Sequence, residues 1–124
     1  IFLLSKSKNY YFDVDALKEA TIDGKGLKRK RSVWTVNTKP YKAAHFAVYP
    51  PELIEPCIKA GSQKGDIILD PFMGSGTTAM VAKHLGRDYI GCELHEEYGN
   101  LIDQRVPVEE VAQETTNPLA DLLY

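Results

Sequence analysis

The chain has 124 residues, a formal net charge of −2 and 44% hydrophobic residues. A chain of this length buries one hydrophobic core rather than two, so length and composition agree with one α/β domain or a large piece of one. No stretch approaches the roughly 20 apolar residues of a membrane span, which argues against a membrane protein. Cys57 and Cys92 form no CxxC or Cys/His cluster. We interpret them as buried thiols in a reducing cytoplasm.

Charge is divided unevenly along the chain. Residues 1–48 hold 10 Lys/Arg against 4 Asp/Glu, whereas residues 49–124 hold 5 against 13. A basic half beside an acidic half indicates that the first half meets a polyanion. Solvated charge runs are common, so a basic surface without a partner is the alternative.

The beginning of the chain is predicted to hold short extended segments and one basic loop. Aromatic and aliphatic residues predict strands at 1–4 and 10–12, and a helical turn is expected at 15–19. Residues 21–32 contain two glycines and five basic residues, which favours a mobile loop that cannot bury a face. Its cations are expected to lie against DNA phosphates, with a solvated loop as the alternative. They are Lys25, Lys28, Arg29, Lys30 and Arg31.

Residues 33–36 alternate in polarity, which predicts a further strand around Trp34. The indole is interpreted as a core anchor, and stacking on a nucleic-acid base is the alternative.

The remaining signals alternate between helix and strand. Pro50, Pro51 and Glu52 predict the start of a helix that ends at Gly61. An apolar run at 67–69 predicts a buried parallel strand, and a helix at 77–85, ended by Gly86, follows it. A second strand at 89–92 completes a β-α-β pattern, with another helix at 96–105. Beyond these the tail is either a terminal helix or a disordered end.

Residues 70–78 read Asp-Pro-Phe-Met-Gly-Ser-Gly-Thr-Thr and join the first of these strands to its helix. Gly74 and Gly76 allow a sharp turn and a close approach of the backbone to a ligand. The helix that follows directs its free N–H groups toward the loop. Asp70 at the strand tip would repel a pyrophosphate and attract an ammonium or sulfonium group. The loop therefore favours a cationic ligand.

Glu93 follows the second strand about 20 residues after the glycine loop, where a ribose-binding carboxylate is expected. The loop also satisfies the loose G-x-G-x-x-A pattern, so a dinucleotide-binding enzyme such as a dehydrogenase is an alternative. The order strand, loop, helix, strand and acid favours nucleoside binding over a purely structural turn.

Three ordered motifs resemble those of the amino-group DNA methyltransferases, which modify N4 of cytosine or N6 of adenine, in their circularly permuted type. DPFMGSGTT at 70–78 resembles the S-adenosylmethionine loop, YIGCELHEEY at 89–98 the acidic motif, and HFAVYPPELI at 45–54 the motif that helps enclose the methionine end. The resemblance implies a partial Rossmann-like α/β methyltransferase fold, a mostly parallel sheet with flanking helices. It also implies four regions: the end of the catalytic region (1–20), a basic target-recognition region (21–44), a cofactor-binding region (45–105) and a tail (106–124).

S-adenosylmethionine is the cofactor that the resemblance implies. Asp70 is expected near its methionine ammonium, Ser75 with Thr77 near its carboxylate, and Glu93 at its ribose. The residues expected at the cofactor are Asp70, Pro71, Phe72, Gly74, Ser75, Gly76, Thr77, Thr78, Glu93, Leu94, His45 and Phe46.

Apolar residues are expected to enclose the cofactor. Phe72 would form one wall, Leu94 or Ile90 would line the adenine, and Phe46 would cover part of the ligand. His45 is expected to orient backbone at the mouth of the pocket. A simple core position is the alternative for both His45 and Phe46.

One motif of this family does not occur in the 124 residues. Members carry an Asp/Asn/Ser-Pro-Pro-aromatic tetrapeptide that holds the flipped base and its amine, and Tyr49-Pro50-Pro51-Glu52 does not match it. We therefore expect a fragment whose base-binding half lies upstream, with no catalytic residue, no metal site and no activity by itself. A noncatalytic nucleic-acid-binding domain is the remaining alternative. Double-stranded DNA is the expected partner, and the resemblance leaves open a homodimer and a restriction endonuclease partner.

Overall fold

The computed structural model describes residues 1–38 and 48–106. The expectations for His45, for Phe46 and for the tail beyond residue 106 lie outside the described residues. In chain order the elements are a 3-10 helix at Asp15–Leu17, β1 at Lys18–Ala20, β2 at Leu27–Arg29, α1 at Pro51–Gly61, β3 at Ile67–Asp70, α2 at Thr77–His84, β4 at Asp88–Gly91 and α3 at Glu96–Arg105.

The second half of the chain contains the predicted β-α-β unit. Strands β3 and β4 are parallel neighbours, with Ile67 opposite Asp88 and Asp70 opposite Gly91. Helix α2 connects them and packs on the sheet through Val81. The helices predicted at 77–85 and 96–105 and the strands predicted at 67–69 and 89–92 are confirmed to within about one residue.

Two small hydrophobic clusters hold this unit together. In the first, Val81 and Ala82 of α2 pack against Ile58 of α1. In the second, Met73 of the glycine loop packs with Ala79 and Val106. Gly91 lies beside this second cluster, where an added Cβ would clash with Cε of Met73 and lie 3.0 Å from its Cγ. A residue with a side chain at position 91 would therefore require the side chain of Met73 to shift.

A buried arginine joins the ends of two helices. Arg87 donates from Nη2 to the carbonyl oxygen of Ser62 at 2.7 Å, from Nη1 to that of Leu85 at 2.7 Å and from Nε to Ser62 Oγ at 3.2 Å. Ser62 Oγ in turn donates to the carbonyl of Ile58 at 2.6 Å. These bonds satisfy carbonyl groups that the C-terminal ends of α1 and α2 leave without a helical partner.

One face of the parallel pair is open, which corrects the prediction of a buried strand. Ile67 and Leu69 are 62% and 66% exposed, and Ile90 is also exposed. Helix α2 covers the opposite face, and within residues 1–38 and 48–106 no element covers this one. Cys92 at the end of the sheet is exposed as well, so the prediction of a buried thiol is wrong for this residue.

The extended segments predicted near the start of the chain are absent. Residues 1–4, 10–12 and 33–36 have no regular structure, because strand-forming residues need a neighbouring strand to pair with. Trp34 donates from Nε1 to the carbonyl of Arg31 at 2.8 Å. Its ring lies 5.2 Å from Lys30 Nζ, so the indole contacts the basic segment rather than a strand.

The predicted basic loop is in fact a β-hairpin. Strands β1 and β2 pair antiparallel, with Glu19 opposite Lys28. Residues 21–26 form the connection, in which Thr21 N donates to the carbonyl of Gly26 at 2.9 Å and Gly26 N to Thr21 Oγ1 at 3.1 Å. The threonine hydroxyl and the left-handed Gly24, with φ +68°, give this polar segment a defined turn that composition alone did not indicate.

Within the described residues, no helix has both the length and the apolar character needed to cross a membrane.

Candidate cofactor-binding site

The glycine loop turns sharply between β3 and α2, as predicted. Gly74 and Gly76 have φ of +54° and +83°, in the left-handed region that glycine adopts without strain. An added Cβ on Gly74 would meet nothing within 4 Å, whereas one on Gly76 would lie 3.0 Å from Ile102 Cγ1. The loop is therefore packed against α3 at Gly76 and open at Gly74, the point where a ligand has access to the backbone.

Asp70 is held by donors from its own surroundings. Its Oδ1 accepts from the Phe72 N–H at 3.0 Å, and its Oδ2 accepts from Thr78 Oγ1 at 2.5 Å. The hydroxyl of Tyr49 bonds to Thr78 and lies 3.4 Å from Asp70 Oδ2. Burial raises the pKa of Tyr49, and the negative charge of Asp70 adds to that effect. Tyr49 therefore remains a protonated donor at neutral pH.

Glu93 links the glycine loop to the segment after β4. Its Oε2 accepts from the Gly74 N–H at 2.7 Å, and its Oε1 accepts from the His95 N–H at 2.9 Å. The pKa of Glu93 is lowered, first by the His95 N–H and then by the N–H groups of Gly74 and Leu94. A carboxylate offers about four acceptor positions, so Glu93 is ionised, oriented and able to accept further hydrogen bonds.

Ser75 and Thr77 lie away from the open end of the loop. They are only 5% and 2% exposed, and both bond to Arg105. Its Nη1 donates to Ser75 Oγ at 2.9 Å, to the Ser75 carbonyl at 2.9 Å and to Thr77 Oγ1 at 3.1 Å. Thr78 is buried too, with its hydroxyl on Asp70. Arg105 therefore occupies their hydroxyl groups. The expectation that Ser75 and Thr77 lie near the carboxylate of the cofactor stays a prediction.

The apolar residues expected around the ligand are accessible. Phe72 is 86% exposed and Leu94 is 93% exposed, and Pro71 is exposed between Asp70 and Phe72. Such large exposed apolar side chains beside two oriented carboxylates are typical of a binding surface. Through the Gly74–Glu93 bond and the pairing of β3 with β4, the structure brings the two strand ends to one edge.

Sequence reasoning missed two residues of this site, Tyr49 and Arg105. Tyr49 stands before a Pro-Pro pair, where it resembled part of a helix start, and Arg105 is a basic residue in the last turn of α3, a common surface position. The one available signal was Tyr49's place inside the motif at 45–54.

Two cations of the basic hairpin form ion pairs with the same acidic residue. Glu19 forms ion pairs with Lys28 and Lys30, each at 3.5 Å. Lys25 lies in the hairpin connection, Arg29 ends β2, and Arg31 follows it. Lys28 and Lys30 thus already have an acidic neighbour before any polyanion binds.

A family model described as DNA methylase matches residues 1–104. The chain belongs to this DNA methylase family. Membership confirms the resemblance read from the three motifs, and the division of the chain into four regions and its permuted order stay predictions.

Individual DNA methylases are similar to the chain over most of its length. The type II methyltransferase M.XycI of Xanthomonas campestris pv. cyanopsidis is 49% identical over 106 residues, which are 86% of this chain and 35% of that protein. M.SmaI of Serratia marcescens, also a type II methyltransferase, is 49% identical over 107 residues, 86% of this chain and 37% of that protein. The chain therefore spans little more than a third of the length of these relatives.

A solved DNA methylase structure shows the fold. The cytosine-N4-specific PvuII DNA methyltransferase matches with a TM-score of 0.60 and 25% identity, over 87% of this chain and 40% of that one. The predicted methyltransferase α/β fold is thereby confirmed.

Proposed function

We propose that the chain forms the S-adenosylmethionine-binding part of a DNA methyltransferase that modifies the exocyclic amine of adenine (N6) or cytosine (N4). One observation carries the proposal. In a chain of the DNA methylase family, Asp70 and Glu93 stand at the carboxyl ends of two adjacent parallel strands and border the same glycine loop. Ligands of open α/β sheets bind at that edge.

The residues fit this cofactor by charge and shape. Glu93 has acceptor positions left for the ribose hydroxyls after bonding to Gly74 and His95. Asp70 adds negative charge near a ligand that carries an ammonium and a sulfonium. Phe72 and Leu94 offer exposed apolar surface for the adenine to cover. S-adenosylmethionine supplies an activated methyl group with its own leaving group, so the protein's part is to bind it and orient it.

Calorimetry with S-adenosylhomocysteine tests the proposal. We expect the purified chain to bind this stable product of methyl transfer and to give no signal with NAD, because Asp70 opposes a pyrophosphate. Binding of NAD with no response to S-adenosylhomocysteine would overturn the proposal in favour of a dinucleotide enzyme.

Double-stranded DNA is the proposed partner of the basic hairpin. The support is the cluster of Lys25, Arg29 and Arg31 around β2, next to two lysines that Glu19 only partly neutralises. We further propose that the protein works in the cytoplasm, where it meets DNA. A homodimer and a restriction endonuclease partner are secondary proposals, which sedimentation and co-purification from the source cell would test.

A noncatalytic nucleic-acid-binding role is the second candidate. The observation that favours it concerns Tyr49 and Pro51, which belong to the nearest match to the family's base-holding tetrapeptide. Both residues serve other purposes in the structure. Tyr49 bonds to Thr78, and Pro51 begins α1. Binding of DNA without any binding of S-adenosylhomocysteine would favour this candidate.

A further inference from the structure

We propose that Arg105 is a positioning residue of the cofactor site, which holds the glycine loop in the conformation that binds S-adenosylmethionine. The inference rests on the proposed function, because it assigns a residue to that same site. Arg105 lies at the end of α3, 30 residues along the chain from the serine it contacts.

The contact is made by one nitrogen and three acceptors. Arg105 Nη1 donates to the carbonyl and the hydroxyl of Ser75, each at 2.9 Å, and to the hydroxyl of Thr77 at 3.1 Å. Both acceptor residues are buried, so loss of the guanidinium would leave buried oxygens without this donor. Hydrogen bonds from a charged donor are stronger than neutral ones. Arg105 therefore fixes both the backbone and the side chains of this part of the loop.

A second residue of α3 packs against Gly76, the loop position between these two acceptors. Ile102, three residues before Arg105 and on the same side of the helix, lies so close to Gly76 that an added Cβ would be 3.0 Å from its Cγ1 and 3.4 Å from its Cα. Three consecutive loop residues, Ser75, Gly76 and Thr77, are thus held by α3 through hydrogen bonds and packing.

The held segment is continuous with the binding residues. Gly74, directly before Ser75, donates its N–H to Glu93, the proposed ribose acceptor. Thr78, directly after Thr77, donates its hydroxyl to Asp70. A shift of the loop at Ser75 and Thr77 would therefore move the partners of both carboxylates.

Arg87 offers a matched control. Arg87 is buried and, like Arg105, donates to the hydroxyl and the carbonyl of a serine. It also donates to a second carbonyl, and it lies at the other end of α2. Arg105→Met and Arg87→Met remove the same guanidinium from the two ends of one helix. Arg105→Lys keeps a positive charge and one donor nitrogen, and it serves as the conservative variant if Arg105→Met does not fold.

The test compares the dissociation constant for S-adenosylhomocysteine with thermal stability and with amide exchange at residues 75–77. Arg105→Met is expected to raise the Kd about tenfold, a change that removal of charged hydrogen bonds can produce, and to speed exchange in the loop. Arg105→Lys should recover part of the affinity. Arg87→Met should lower the melting temperature and leave the Kd of the folded protein unchanged.

The experiment distinguishes failure of the positioning role from failure of the proposed function. Binding by the wild type with an unchanged Kd in both Arg105 variants, or an equal rise in Kd for Arg87→Met, would overturn the positioning role alone. Lack of binding by the folded wild type would overturn the proposed function and the role of Arg105 with it.

Discussion

The glycine-loop half of the molecule and its beginning achieve order by different means. Every buried side chain among the described residues lies between Ile58 and Val106, whereas residues 1–38 contain none. The glycine-loop half is held by its own hydrophobic core and by side-chain hydrogen bonds such as those of Arg87 and Arg105. The hairpin region is held by backbone pairing, by surface ion pairs, by contacts of its 3-10 helix with α1 and by a bond from the Asp13 N–H to the carbonyl of Ala60 at 2.8 Å. The comparison teaches that the candidate cofactor site rests on a packed core, while the basic hairpin presents charge on a surface.

The largest expected effect concerns methyl transfer. Neither region contains the Asp/Asn/Ser-Pro-Pro-aromatic tetrapeptide that holds a flipped base, so we expect these 124 residues to transfer no labelled methyl group from S-adenosylmethionine to mixed-sequence DNA. Positioning of reactants can contribute roughly 7–11 kcal/mol to catalysis, and its loss takes turnover below detection. Clear incorporation would show that residues assigned to structure, Tyr49 first, form a base site.

Asp70→Ala should weaken cofactor binding by about 1.5–3 kcal/mol, because the variant removes a charged partner at the strand end. It should also lower stability, since Phe72 and Thr78 lose their acceptor. Asp88→Ala is the control, because Asp88 is an exposed acid paired with Lys83 at 3.1 Å on the other end of the same sheet. Equal affinities of the two variants for S-adenosylhomocysteine by calorimetry would contradict the assignment of Asp70.

Glu93→Gln should raise the Kd for S-adenosylhomocysteine about tenfold, as expected for loss of a charged acceptor. The substitution should also lower the stability of the fold, because an amide has one acceptor oxygen and Glu93 accepts hydrogen bonds from both Gly74 and His95. A folded variant with wild-type affinity would make Glu93 a structural acid.

The same glutamate gives a pH dependence of stability. Backbone donors hold the folded pKa of Glu93 below its ordinary value. The stabilisation from the ionised group is therefore fully present above the unfolded pKa, about 4.3, and is lost as pH falls through the lower folded pKa. Urea unfolding between neutral and acid pH should show a difference between wild type and Glu93→Gln that shrinks over this window. A difference that stays constant with pH would contradict this origin.

The smallest effects are expected at the hairpin. DNA affinity should depend on salt and little on sequence. Replacing Lys28, Arg29, Lys30 and Arg31 with neutral residues should lower the log–log salt slope by up to about 0.9 for each phosphate that the hairpin no longer neutralises. Glu19→Gln should strengthen DNA binding, because it frees Lys28 and Lys30 from their acidic neighbour. An unchanged slope in the quadruple variant would show that the hairpin is a solvated surface.

Local patterns made one part of this structure predictable. The β3–α2–β4 unit was predictable because the apolar run, the glycines and Gly86 act on neighbouring residues. The contacts of Tyr49 with Asp70, 21 residues apart, and of Arg105 with Ser75, 30 residues apart, leave no periodic signal. The hairpin was missed because its turn depends on one threonine hydroxyl within a composition that favours loops. The burial of β3 was overestimated because the apolar character of a strand shows which side chains can be buried. It does not show whether another element covers each face of the sheet.

The contact between Gly91 and Met73 also bears on how sequences of this fold can diverge. A Cβ at position 91 would require the side chain of Met73 to shift, so a larger residue there is best accommodated by a smaller one at position 73. Position 74 is restricted by its left-handed backbone, which asparagine can also adopt. It is restricted as well by the close approach of the proposed ligand, which a side chain in the open space there would obstruct. Among related sequences, positions 73 and 91 should therefore covary as a pair, while position 74 should retain glycine.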